Sequence, residues 1–195
     1  MNKTRISVEE QLNRLIKMGI APKHDDFIDY ICDICGKEEV ETDPYNLILY
    51  ELGGERENGD VWESLSDDMY TFDTECVEDD DIYEIILERL SALSKGIFSI
   101  GNTHSAVDHD NQSASVSFTY NGTDYQWELR YKDDWFDYDV INKINGLIEN
   151  NRLSKFFYTS YLAQALCVIF TSEDTVRELN RLVRVPFVLG VSYDG

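Results

Sequence analysis

Apolar and polar positions alternate most regularly between Ser113 and Tyr131. Ala114, Val116, Phe118 and Tyr120 are interleaved with Ser113, Ser115, Ser117 and Thr119, and after Asn121-Gly122 the set resumes with Tyr125, Trp127, Leu129 and Tyr131. Period-two patterning on both sides of Asn-Gly predicts a hairpin with a type I′ turn, whose two central residues need positive φ. Counting back from the turn pairs Tyr120 with Thr123, Phe118 with Tyr125, Val116 with Trp127 and Ala114 with Leu129. That register puts both apolar sets on one face. Ile97 to Ile100 is expected to add a third strand before it.

Elsewhere the period is helical. Val8, Leu12, Leu15 and Ile16 follow a Ser7/Glu10 capping pattern, with Gly19 and Pro22 beyond. A second helix is expected from Asp25 or Asp26, carrying Phe27, Ile28, Ile31, Cys32 and Cys35 inward and stopping at Gly36. Tyr45 to Leu52 reads as a short apolar strand. Asp80 or Asp81 is expected to cap a helix through Ile82, Ile85, Ile86, Leu90 and Leu93, closed by Gly96. A further helix uses Val140, Ile141, Ile144, Leu147 and Ile148. Strands are expected at Lys155 to Tyr158 and Ala165 to Phe170, then a helix capped by Ser172 and a last strand over Val185 to Leu189. Strands and helices mixed in this order predict an α+β fold, an antiparallel sheet packed with helices. The organisation expected is a single domain over 1–195, with a helical N-terminal segment (1–36) and an α+β body (45–190).

The chain has 195 residues, 43% of them hydrophobic, enough to fill a core. Its 17 basic residues face 38 acidic ones, a formal charge of −21. Such a chain is not drawn to nucleic acid or to an anionic bilayer. No apolar run reaches the ~18 residues that span a membrane, and the start leads into an amphipathic helix. A cytoplasmic protein is expected. Glu55 to Asp81 concentrates the acidity, with Arg56 its one basic residue, whereas acids and bases balance from Tyr138 onward.

Candidate chemistry is sparse. Cys32 and Cys35 have the spacing of half a zinc knuckle, but Cys76 and Cys167 stand alone, so packing on a helix face is the preferred reading. Asp73 and Glu75 with Glu78 to Asp81 could attract Ca²⁺, but the glycine and spacing of an EF-hand are missing, which favours a solvated acidic loop. His104, Asp108, His109 and Asp110 lie around an expected strand connection, with no nucleophile motif near them. His24 reads as an exposed turn residue. Asp133, Asp134, Trp135, Phe136 and Asp137 mix carboxylates with large aromatics, the makeup of an interface hot spot. They equally suit an anchor for the helix that follows, with Asp137 as its cap. No cofactor is expected, and no metal or catalytic residue is assigned.

Three stretches in order carry a resemblance: Ser66-Asp67-Asp68 through Phe72-Asp73-Thr74-Glu75-Cys76, then Val107-Asp108-His109 leading into Trp127-Glu128-Leu129, then Asp133 to Asp137. Together, over about Tyr45 to Val188, the chain resembles a family of uncharacterised bacterial cytoplasmic proteins. Some of these look like immunity partners found beside polymorphic or contact-dependent toxins. The resemblance implies a non-enzymatic binding protein that neutralises a basic toxin domain by direct contact. Asp67, Asp68, Asp73, Glu75, Asp133, Asp134, Trp135 and Asp137 are the candidate contacts, chosen for charge and aromatic content. Two other classes stay open: a metal-dependent or hydrolytic enzyme using His104, Asp108 and His109, and an acidic regulatory or assembly module.

Overall fold

A computed structural model describes residues 5–150 and 154–191. Its centre is a four-stranded antiparallel sheet of order β3-β8-β7-β9, made of β3 (Met69–Asp73), β7 (Lys155–Leu162), β8 (Ala165–Ser172) and the two-residue β9 (Val188–Leu189). Strand β8 is apolar at nearly every position because both faces of this sheet are covered. Phe157, Leu166 and Val168 enter one core, and Tyr158, Cys167, Ile169 and Met69 enter another.

The first core lies between this sheet, helices α5 (Ile82–Leu93) and α6 (Asp139–Asn150), and a second, three-stranded antiparallel sheet that contains the expected hairpin. In the last, β5 (Ser113–Tyr120) and β6 (Thr123–Leu129) have the register counted from the turn, from Tyr120↔Thr123 to Ala114↔Leu129. Asn121 and Gly122 carry φ of 50° and 75°, as the turn requires. Strand β4 (Ile100–Asp108) overlaps the expected third strand only at Ile100 and continues to Asp108. It therefore includes His104 and Asp108, which were expected in a connection. The buried Asn145 of α6 receives a bond from the Phe157 amide (2.9 Å) and donates to the Phe157 carbonyl (2.8 Å), fixing α6 on β7.

The second core is built by α1 (Val8–Lys17), α2 (Phe27–Ile31), α3 (Lys37–Thr42), α4 (Asn46–Leu52) and α7 (Glu173–Leu179). Ser7 and Ser172 cap α1 and α7, accepting from the Glu10 and Thr175 amides. Gln11, fully buried in α1, donates to the Ile6 and Val40 carbonyls and accepts from the Tyr45 amide, so no polar atom of its amide is stranded.

Several expectations are corrected. The stretch expected as a strand from Tyr45 to Leu52 is the helix Asn46–Leu52: Ile48, Leu49 and Leu52 are buried at helical spacing, a pattern that a short apolar run shares with a strand. The second helix stops at Gly36 as expected, but its last turn is not α-helical. A π-helical turn (Cys32–Gly36) follows α2, and helix resumes directly as α3 after Gly36 with its φ of 80°. Asp81 makes no side-chain cap on α5; the Glu84 amide is taken instead by Ser105 of β4. Glu78 to Asp81 are exposed in the turns before α5, as expected of a solvated acidic loop, but the acidic stretch upstream of them has structure that was not anticipated. It contains a hairpin of β1 (Glu55–Asn58) and β2 (Val61–Ser64), then β3. The last strand keeps only Val188 and Leu189.

Gly53 shows how α4 closes the free side of β3. Its carbonyl accepts from the Thr71 amide at 2.7 Å, and a Cβ there would lie 2.7 Å from the Thr71 nitrogen.

Candidate functional site

Beyond Asp73 the chain leaves β8 and runs beside residues 132–136. The Phe136 amide donates to the Thr74 carbonyl and the Val77 amide to the Asp134 carbonyl, both at 2.8 Å. Between them Glu75 and Trp135 form an isolated antiparallel bridge. Thr74 is buried, its hydroxyl bonded to the Gln164 carbonyl at 2.8 Å. Phe136 is fully buried, stacked on Tyr83 and edge-on to Phe72. With those two residues locked inward, their neighbours Glu75 and Trp135 are turned outward.

The surface that results is aromatic and acidic. Trp135 is 36% and Tyr161 44% exposed. Tyr161 touches the Thr74 hydroxyl at 3.2 Å and packs edge-on against Tyr138. Burial, as the largest cause, pushes the Tyr138 phenol up to about 12, so it stays protonated at neutral pH. Lys132 lies 5.6 Å from the centre of the Tyr138 ring. Asp73, Glu75 and Asp133 are exposed and Asp134 is half-buried. The Glu75 carboxylate accepts from the Gln164 amide, and Asp73 accepts from the Glu75 backbone.

Five of the candidate contacts are thus brought together: Asp73, Glu75, Asp133, Asp134 and Trp135. Three are not. Asp137 is 1% exposed, accepting from the Arg130 and Asp139 amides while its own amide donates to the Tyr83 hydroxyl. It is a buried carboxylate that fixes the start of α6 and does not reach the surface. Asp67 and Asp68 sit at the other end of β3. Asp67 pairs with Lys23 at 3.0 Å, and Asp68 accepts from the Ala21 amide and from Lys95.

His104, Asp108 and His109 do not converge. His104 pairs in register with Ser117 and lies 4.0 Å from Glu84. Asp108 turns into the β4–β5 connection, accepting from the Asn111 amide and side chain, and these bonds hold its carboxyl below the usual range. His109 contacts the Tyr131 hydroxyl at 2.9 Å, and Tyr131 reaches Asp133 at 3.4 Å, which sets His109 at the rim of the aromatic surface. Among the described residues no group of three or more His, Cys, Asp and Glu side chains is placed to hold a metal ion. Cys32 and Cys35 are both half-buried, and Cys35 donates to Glu51 at 3.6 Å. His24 is half-buried rather than exposed, 3.8 Å from Glu63.

Sequence reasoning missed Tyr161 and a second exposed pair, Trp62 (65%) and Ile34 (57%), which line one groove between the β1–β2 hairpin and the π-helical turn. The signal for the hairpin was present in Gly59-Asp60, a two-residue connection with Gly59 at φ 66°. Nothing in sequence placed Ile34 outward. No helix among the described residues is long and apolar enough to cross a membrane. Comparison with protein-family models, with curated proteins and with solved structures finds no match to this chain.

Proposed function

We propose that this is a cytoplasmic binding protein of the immunity type, which neutralises a basic bacterial toxin domain by direct contact and performs no chemistry of its own. One observation carries this reading: Trp135 and Tyr161 stand exposed among Asp73, Glu75, Asp133 and Asp134, gathered from distant parts of the chain onto one rigidly hydrogen-bonded support. Exposed aromatics supply desolvated anchor points, and the surrounding carboxylates select a cationic partner. The net charge of −21 supports the same reading, because it accelerates encounter with a basic domain.

The test is affinity capture from the native host with the tagged chain, alongside Trp135→Ala and Glu75→Lys variants. The expected result is one basic protein encoded next to this gene, held by the parent chain and at least tenfold more weakly by each variant, about 1.4 kcal/mol. Its association rate should fall steeply with added salt. No captured protein when the neighbouring gene is co-expressed, or a rate indifferent to salt, overturns the reading.

A further inference from the structure

The three-stranded sheet ends on β6, and among the described residues no strand covers the outer side of that strand. In an antiparallel pair closed by a two-residue turn, hydrogen-bonded pairs alternate with non-bonded ones, starting from the closing pair. Tyr125 and Trp127 therefore direct their backbone groups toward Phe118 and Val116, their partners in register, while Asp124, Gln126 and Glu128 direct theirs away from β5. Lys143 marks that direction, since its Nζ donates to the Glu128 carbonyl at 3.2 Å. Among the described residues no strand lies beyond β6, and the backbone groups of Asp124 and Gln126 and the Glu128 amide have no hydrogen-bond partner there. The opposite edge is different: Ser105 of β4 bonds both the Asp80 carbonyl and the Glu84 amide, which ties that strand to α5.

An open edge is a template for another strand. The side chains along this one say what kind. Asp124, Gln126 and Glu128 are exposed on the outer face, and Tyr125 and Trp127 are half-buried on the inner face against Phe118. A second copy of this chain is disfavoured. Antiparallel pairing about Gln126 would set Asp124 against Glu128 of the copy, like charge on like charge twice over. A basic strand meets no such penalty.

We infer that β6 accepts an extended segment of a partner protein in which basic and apolar side chains alternate. The basic ones lie against Asp124 and Glu128, and the apolar ones complete the cover over Tyr125 and Trp127. Pairing runs from Asp124 to the Glu128 amide and stops where Lys143 holds the Glu128 carbonyl. This inference does not rest on the surface at Trp135.

The probe is an acetylated, amidated peptide of about eight alternating Lys and Val residues, titrated into the isotopically labelled full chain. Saturable shifts and at least tenfold slower amide exchange are expected at Asp124, Gln126 and Glu128. Two further peptides are N-methylated, one on the odd residues and one on the even. A strand presents only one of these sets to β6, so one peptide should lose about tenfold in affinity and the other should bind like the parent. Gln126→Pro, which removes an outward amide on an edge strand, should weaken binding similarly with its circular dichroism unchanged. If that variant fails to fold, the methylated peptides on the native chain decide. Absence of binding, equal behaviour of the two methylated peptides, or shifts centred elsewhere overturns the inference.

Discussion

Glu75 and Trp135 face each other across a single antiparallel bridge, and that bridge turns two remote acidic segments into one surface. The bonds on either side of it, Phe136 to Thr74 and Val77 to Asp134, make the pairing part of the fold rather than a passing contact of side chains.

The consecutive aromatics at this bridge should therefore respond in opposite ways. Phe136, with no exposed surface and three ring partners in Phe72, Tyr83 and Tyr138, should lose about 3–5 kcal/mol on replacement by Ala. Trp135→Ala should lose only about 1–2 kcal/mol, because much of the indole already faces water. Urea unfolding of the two variants checks this, and equal losses would mean that Trp135 belongs to the core.

Burial lifts the Glu51 carboxyl above its ordinary value, opposed in part by the thiol hydrogen of Cys35. A carboxyl raised in this way favours the fold while protonated, and that contribution is lost as pH rises through its folded pKa. Glu51→Gln should thus have a higher urea midpoint than the parent at pH 7, with the gap closing below about pH 4. Cys35 itself is pushed up to about 11, first by burial and then by Glu51. Alkylation at pH 8 should be at least about tenfold slower there than for a free cysteine, and faster in Glu51→Gln.

Gly53→Ala should be among the most damaging single-methyl additions. The added carbon meets the Thr71 backbone at 2.7 Å, so either α4 or β3 must move and their 2.7 Å hydrogen bond must stretch. A loss of about 2–3 kcal/mol is expected in thermal or urea unfolding. Thr71→Ser should leave the backbone clash in the double variant unrelieved.

The β5–β6 hairpin was legible to the residue because turn chemistry and alternation give the same register. Tyr45 to Leu52 was not, since a run this short and apolar satisfies both a buried strand and two turns of helix, and only packing against β3 decides. The β1–β2 hairpin escaped notice because its strands are short and polar, leaving Gly59-Asp60 as the only cue. For the candidate site, composition singled out the acids and Trp135, and the fold brings five of those residues to one surface. What it could not supply was their meeting, which depends on a bridge between residues remote in sequence. Nor could it separate Asp133 from Asp137, one on the surface and one at 1% exposure, because both are aspartates within two residues of a large aromatic.

The β3-β8-β7-β9 sheet is a party wall: Leu166 and Val168 belong to one room, Cys167 and Ile169 to the other. Neither side of the molecule can be taken away without leaving a flat apolar surface of β-strands open to water, a shape that invites aggregation. The helices of the first fifty residues are thus not an appendage to an α+β body. Trimming them to reach a smaller fragment should yield insoluble protein, and gradual unfolding should show one cooperative transition rather than two.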